Sequence, residues 1–140
     1  MKLYFAYGSN MCDKQMKKRC PDSKKIGLAI LPHHRWIIST RGYANVVKAQ
    51  DSEVEGVLWE ISLSDEKSLD ISEGVIKGSY ERVEIAVNHD REEKSALIYI
   101  DPIIKEGKPE DEYIERINCG LADANLSDSY VKQIRKFIRE

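Results

Sequence analysis

The sequence predicts an α+β protein, a mixed, strongly curled β-sheet or small β-barrel with helices packed against it. Three observations predict it. Short apolar segments of strand composition recur along the first hundred residues, about six or seven of them, with little helix between. Two stripes at helical spacing close the chain, Tyr113, Ile114, Ile117 and Leu121 and then Tyr130, Val131, Ile134, Phe137 and Ile138. The length of 140 residues suits one domain spanning residues 1–140, with a core of its own and no repeat or linker.

The elements follow in order. Leu3 to Tyr7 is an apolar strand that stops at Gly8-Ser9-Asn10. The run Cys12 to Cys20 has helix-forming composition, with Asn10 as its N-cap and Asp13 answering it in a capping box. A strand-turn-helix of this kind leaves backbone N–H groups free at the turn, where they and the helix dipole attract an anion, a carboxylate as readily as a phosphate. Ile26 to Leu31 reads as a strand stopped by Pro32, and Trp36 to Ile38 as another. Arg41 to Asn45 reads as a loop into Val46-Val47, and Val54 to Ile61 as a strand bent at Gly56. Ser64 caps a short helix ending at Gly74. Tyr80 to Val87 alternates apolar and polar residues, the mark of a half-buried strand, and Ser95 to Ile100 is a further strand ended by Asp101-Pro102. Two helices follow, Asp111 to Leu121 behind Pro109, and one capped by Ser127.

Composition excludes several functions. A net charge of −2 gives no basic field for nucleic acid, and the basic run Lys14 to Lys25 reads as a solvated helix face. No apolar run approaches a membrane span, and the N-terminus enters a strand with no signal peptide, so a cytoplasmic protein is expected. Cys12, Cys20 and Cys119 are odd in number and lack C-x-x-C spacing, which argues against a disulfide framework or a zinc site. His33-His34 lacks metal-ligand spacing and reads as part of a surface loop after Pro32.

Two motifs carry chemistry. Tyr4-Phe5-Ala6-Tyr7-Gly8-Ser9-Asn10-Met11 resembles the leading signature of the gamma-glutamylcyclotransferase (AIG2-like) family. Leu69-Asp70-Ile71-Ser72-Glu73-Gly74-Val75, with Gly78 and Tyr80 after it, resembles that family's second signature, which holds its catalytic carboxylate. The resemblance places Glu73 on that acid. Asp70, three residues earlier on the helix, is the rival carboxylate and reads as a helix-surface or supporting group. Arg41 to Asn45, Glu55-Gly56-Val57-Leu58-Trp59 and Pro109 to Tyr113 resemble further family segments in the same order. The resemblance implies substrate contacts from Tyr4, Phe5, Ala6, Tyr7, Gly8, Ser9, Asn10 and Tyr113; on residue type alone Tyr113 is equally a core aromatic.

The family's reaction is intramolecular. The α-amine of a γ-glutamyl amino acid or amine attacks its own γ-carbonyl, releasing 5-oxoproline and the free amine, a lyase or acyltransferase class of chemistry. Tethering the two groups supplies most of the encounter entropy. What remains is to hold the α-carboxylate and to move a proton from the ammonium to the leaving nitrogen, for which a desolvated Glu73 is suited. The turn N–H groups would hold the carboxylate or polarise the carbonyl oxygen. The resemblance implies no metal or organic cofactor, a small-molecule γ-glutamyl substrate, and no nucleic-acid or membrane partner; exposed aromatics would support a homodimer. The glutathione-specific branch shows Y-G-S-L-I-W at the first motif, from which Asn10-Met11 departs. The alternative is a catalytically silent member that binds a small acidic ligand; a structural domain would leave the Gly-Ser-Asn turn and Glu73 far apart.

Overall fold

In a computed structural model, which describes residues 2–76 and 78–138, five strands close into a barrel in the order β1 (Lys2–Ala6), β3 (Ala44–Ile61), β2 (Lys24–Ile38), β4 (Glu81–His89) and β5 (Glu92–Ile100). Every pairing is antiparallel except the closing one, where β5 runs parallel to β1 through Tyr4 and Leu97. The expected mixed, curled sheet is therefore present, built from fewer and longer strands.

The strands are longer because Pro32 does not end one. β2 runs through Pro32 and absorbs it as an irregularity between Pro32 and His34, with His33 at φ 61°. A proline removes one ladder donor but is tolerated at a bulge. His33-His34 thus sits in a bulged strand rather than a loop, where the ring Nδ1 atoms face the carbonyls of Gln50 and Pro32. β3 likewise joins the two segments expected at Val46 and Val54. Asp90 and Arg91, both at positive φ, turn β4 into β5.

Gly56 is required where β1 crosses β3. A Cβ there would overlap the Ala6 carbonyl oxygen and lie 2.7 Å from the Phe5 ring. The core gathers Phe5, Leu31, Ile38, Leu58, Ile61, Leu97 and Ile98 from both faces of the sheet, all essentially inaccessible.

The chain leaves β1 through a 3₁₀ turn, Ser9–Met11, before α1 (Asp13–Arg19). The N-cap of α1 is Cys12, with no side-chain cap bond, so the capping box expected from Asn10 and Asp13 does not form. Asn10 is instead buried. α2 (Leu63–Ser72) begins two residues earlier than expected, its cap being Ser62 and not Ser64, under a capping box between Ser62 and Asp65. α3 (Asp111–Asp123) lays its Gly120 against the 3₁₀ turn, where a Cβ would come 2.9 Å from Met11 and 3.2 Å from the Gly8 carbonyl oxygen. α4 (Asp128–Ile138) packs through Tyr130, Ile134 and Ile138, and Ser127 before it donates its hydroxyl to Glu55 at 2.6 Å.

A disulfide joins Cys12 to Cys119 across 107 residues, against the expectation that the cysteines stay unpaired. The odd count misled because one pair and one buried free thiol, Cys20, also make three. Asp123 lies beside both bonded sulfurs, but bonded sulfurs offer a metal no thiolate.

Candidate active site

A cleft of about 630 Å³ opens where β1 ends. Into it come the Gly8-Ser9-Asn10 turn, the C-terminal end of α2 with Glu73, the Arg41–Ala44 loop, and the first turns of α3 with Tyr113 and Arg116. The two segments that carry chemistry in the sequence, some sixty residues apart, thus share one cavity. Of the residues expected to touch substrate, Tyr4, Tyr7, Gly8, Ser9, Asn10 and Tyr113 line it. Phe5 and Ala6 do not: both are sealed in the core, Phe5 because alternation along β1 turns it to the face opposite Tyr4.

Glu73 caps the C-terminus of α2, which breaks at Gly74 in the left-handed region, φ 64°. That break turns the carboxyl out of the helix and into the cleft. Its side chain is half-buried, shielded by the cleft walls while the mouth stays open. Desolvation pushes its pKa up to about 7, against the pull of Arg19 and Arg41.

Tyrosines make the floor. Tyr7 donates to the Tyr99 carbonyl at 2.6 Å, Tyr80 to the Ala44 carbonyl at 2.9 Å, and Tyr99 to Asp70 at 2.6 Å. Burial pushes the hydroxyls of Tyr4, Tyr7, Tyr80 and Tyr99 well above their usual pKa, so all stay protonated donors. Tyr113 is raised to about 12 by burial, less than the others because the Ala44 and Ser9 N–H groups and the Ser9 hydroxyl stabilise its oxygen. Its hydroxyl explains Gly8, since a Cβ there would lie 2.8 Å from it. Tyr113 is therefore both a buried aromatic and a cleft residue: its body is in the core and its hydroxyl on the turn.

Asn10 works as a clasp rather than a cap. It donates to the Tyr4 hydroxyl at 2.9 Å and accepts from Gln15 at 2.8 Å and Arg19 at 3.0 Å, while Gln15 also donates to Ser9 Oγ at 2.6 Å. Among the described residues, no backbone carbonyl outside the regular elements takes the N–H of Gly8, Ser9 or Asn10, whereas those of Met11 and Cys12 are taken by Gly8 and Ser9. Of the three, the Ser9 N–H is turned to the Tyr113 hydroxyl oxygen.

Asp70 also borders the cavity, but the Tyr99 hydroxyl and the Arg82 guanidinium occupy it. The arginines were not legible from motifs. Arg19, in the run read as a solvated face, turns inward to Asn10. Arg41 pairs with the fully buried Asp101 at 3.4 Å, donates to the Ser79 carbonyl and lies over the Tyr80 ring. Arg116 sits one turn beyond Tyr113, and that helical spacing was the signal available for it.

Comparison with known proteins decides the family. The profile of the AIG2-like family matches residues 53–134, more than half of the chain. The protein belongs to the AIG2-like family. Among curated relatives, this AIG2-like chain is 28% identical to the mouse protein named gamma-glutamylcyclotransferase, over 95% of the chain and 77% of the relative. It is 26% identical to the human protein of the same name over the same shares. A solved structure titled gamma-glutamyl cyclotransferase superposes with TM-score 0.90 at 25% identity, covering 99% of this chain and 89% of that one. YkqA from Bacillus subtilis shares the AIG2-like fold at TM-score 0.84 and 23% identity, this chain spanning 53% of its length.

Proposed function

We propose that this protein is a gamma-glutamylcyclotransferase, with Glu73 as the general acid and base. The observation that carries the proposal is a carboxyl with its pKa near 7 in the same cleft as the Gly8-Ser9-Asn10 turn, whose Gly8 and Asn10 N–H groups no backbone carbonyl takes among the described residues. The names of the relatives point to the same activity.

The steps follow from the geometry. The substrate α-carboxylate docks on the Gly8-Ser9-Asn10 turn, on the N–H groups of Gly8 and Asn10. Its ammonium then faces Glu73. As the carboxylate, Glu73 accepts one proton, and the freed amine attacks the γ-carbonyl to close a five-membered ring. Charge growing on the carbonyl oxygen is met by the Tyr113 hydroxyl, the protons of Tyr7, Tyr80 and Tyr99 being already given to the Tyr99 carbonyl, the Ala44 carbonyl and Asp70. Collapse of the tetrahedral centre breaks the bond to the leaving nitrogen, which takes the proton back from Glu73, and the ring nitrogen gives its surplus proton to the restored carboxylate, which passes it to the released amine. A pKa near 7 serves both halves, since the group must be a base first and an acid second. The Ser9 hydroxyl is bonded to Gln15, which suits a positioning role and not a nucleophile's.

The test is 5-oxoproline release from γ-glutamyl amino acids, γ-glutamyl amines and glutathione. The native protein forms product from at least one, and Glu73→Gln lowers kcat by about 10²–10⁴-fold. Release that survives Glu73→Gln removes Glu73 from the mechanism. No release from any substrate, with calorimetric binding retained, makes the protein a silent binder.

A further inference from the structure

The deep part of the cleft is accounted for by the γ-glutamyl group, but the cavity is larger, in the range that encloses drug-sized ligands. The rest of that space lies at the rim and falls to the leaving amine. Three large apolar side chains border the opening: Ile76 is 99% exposed, Ile71 is 79% exposed, and Tyr43, packed edge-on against Tyr113, is 37% exposed. Single exposed apolar residues are ordinary, but three around one opening form a patch with a use.

The charges at the rim narrow the ligand. Arg19 is spent on Asn10, and Arg41 on Asp101, the Ser79 carbonyl and the Tyr80 ring. Among the described residues Arg116 pairs only with a neighbour on its own helix, the exposed Glu112, and a solvated pair of that kind is weak enough for an arriving carboxylate to displace. The guanidinium fork then offers that carboxylate two parallel hydrogen bonds.

Building on the cyclotransferase reading, we propose that the rim is a leaving-group subsite for an amino acid with a bulky apolar side chain, Ile71, Ile76 and Tyr43 taking the side chain and Arg116 the carboxylate. A γ-glutamyl-leucine type of substrate fits this description. γ-Glutamyl-glycine lacks the apolar part, and a γ-glutamyl alkylamine lacks the carboxylate.

The test compares kcat/KM for 5-oxoproline release from γ-glutamyl-leucine, γ-glutamyl-glycine and γ-glutamyl-3-methylbutylamide, the last being the leucine compound without its carboxylate. The leucine compound is expected to exceed each of the others about tenfold, the low end of what apolar contacts discriminate. Ile71→Ser with Ile76→Ser brings the leucine-to-glycine ratio to near one, and Arg116→Gln does the same to the leucine-to-amide ratio. All three residues are solvent-facing enough that folding is not at stake. Equal or reversed ratios in the native protein, or ratios the variants do not move, overturn the subsite. Calorimetric binding of the same three compounds to Glu73→Gln separates the two proposals: a leucine preference there with no product from the native protein removes the cyclotransferase reading and keeps the subsite, and no preference removes the subsite.

Discussion

Glu73 shows how a single residue acquires its chemistry from where a helix stops. Gly74 ends α2 and swings the carboxyl into a walled cleft, where desolvation outweighs two arginines and lifts its pKa to about 7. If the carboxylate is the base, kcat/KM falls on the acid side with a limb near pH 7 instead of near 4.5, read from initial rates between pH 5 and 9. The same shift has a stability counterpart. The folded state holds the Glu73 proton more tightly than the unfolded chain, so folding is penalised as pH rises from 4.5 through 7 and stays penalised above. Glu73→Gln carries no such charge, and its melting temperature is expected to gain on the native protein between pH 5 and pH 8; a gap that is the same at both would mean that the carboxyl titrates normally. Glu73 and the Gly-Ser-Asn turn were legible in the sequence because both sit in contiguous strings. Phe5 and Ala6 lie off the cleft wall for the converse reason: a string names neighbours without saying which way each side chain faces.

At the scale of elements, the decisive arrangement is α3 against the 3₁₀ turn. Gly120 permits the approach, Tyr113 reaches over Gly8, and Cys12 is bonded to Cys119 at the junction. The cross-link closes a loop of 107 residues, and chain entropy alone would make it worth up to about 5 kcal/mol. Reduction, or Cys119→Ala, should lower the melting temperature and raise KM more than it lowers kcat, because the turn that would hold the substrate carboxylate loses its tie to α3. Reductant should do nothing further to Cys119→Ala; an additional effect would implicate Cys20 instead. No local pattern announces a bond between residues so far apart, so sequence reasoning missed it. It also misplaced the start of α1, since Asn10 has the chemistry of a cap but is drawn inward by Tyr4, Gln15 and Arg19.

For the whole molecule, the barrel was legible as a class and not as a strand count. Pro32 was taken as a stop because most prolines are, yet a closed sheet absorbs it in a bulge and keeps β2 whole. Gly56 was read as a bend, and it is a point where β1 leaves no room for a Cβ on β3. Gly56→Ala forces β1 outward and is expected to cost about 1–3 kcal/mol, seen as a lower urea midpoint with the slope unchanged.

The parallel seam between β1 and β5 governs the order of assembly. β1 is made first during synthesis, but its partners are β3, where Tyr4 faces Trp59, and β5, where Tyr4 faces Leu97. Closing such distant pairs costs loop entropy that no local contact repays early. The opening strand therefore waits for the fifth before the ring can shut, and the Gly8-Ser9-Asn10 turn that follows it takes its place only then. Catalytic competence and global folding arrive in one step, and an N-terminal fragment ending before β5 would carry the motif without the site.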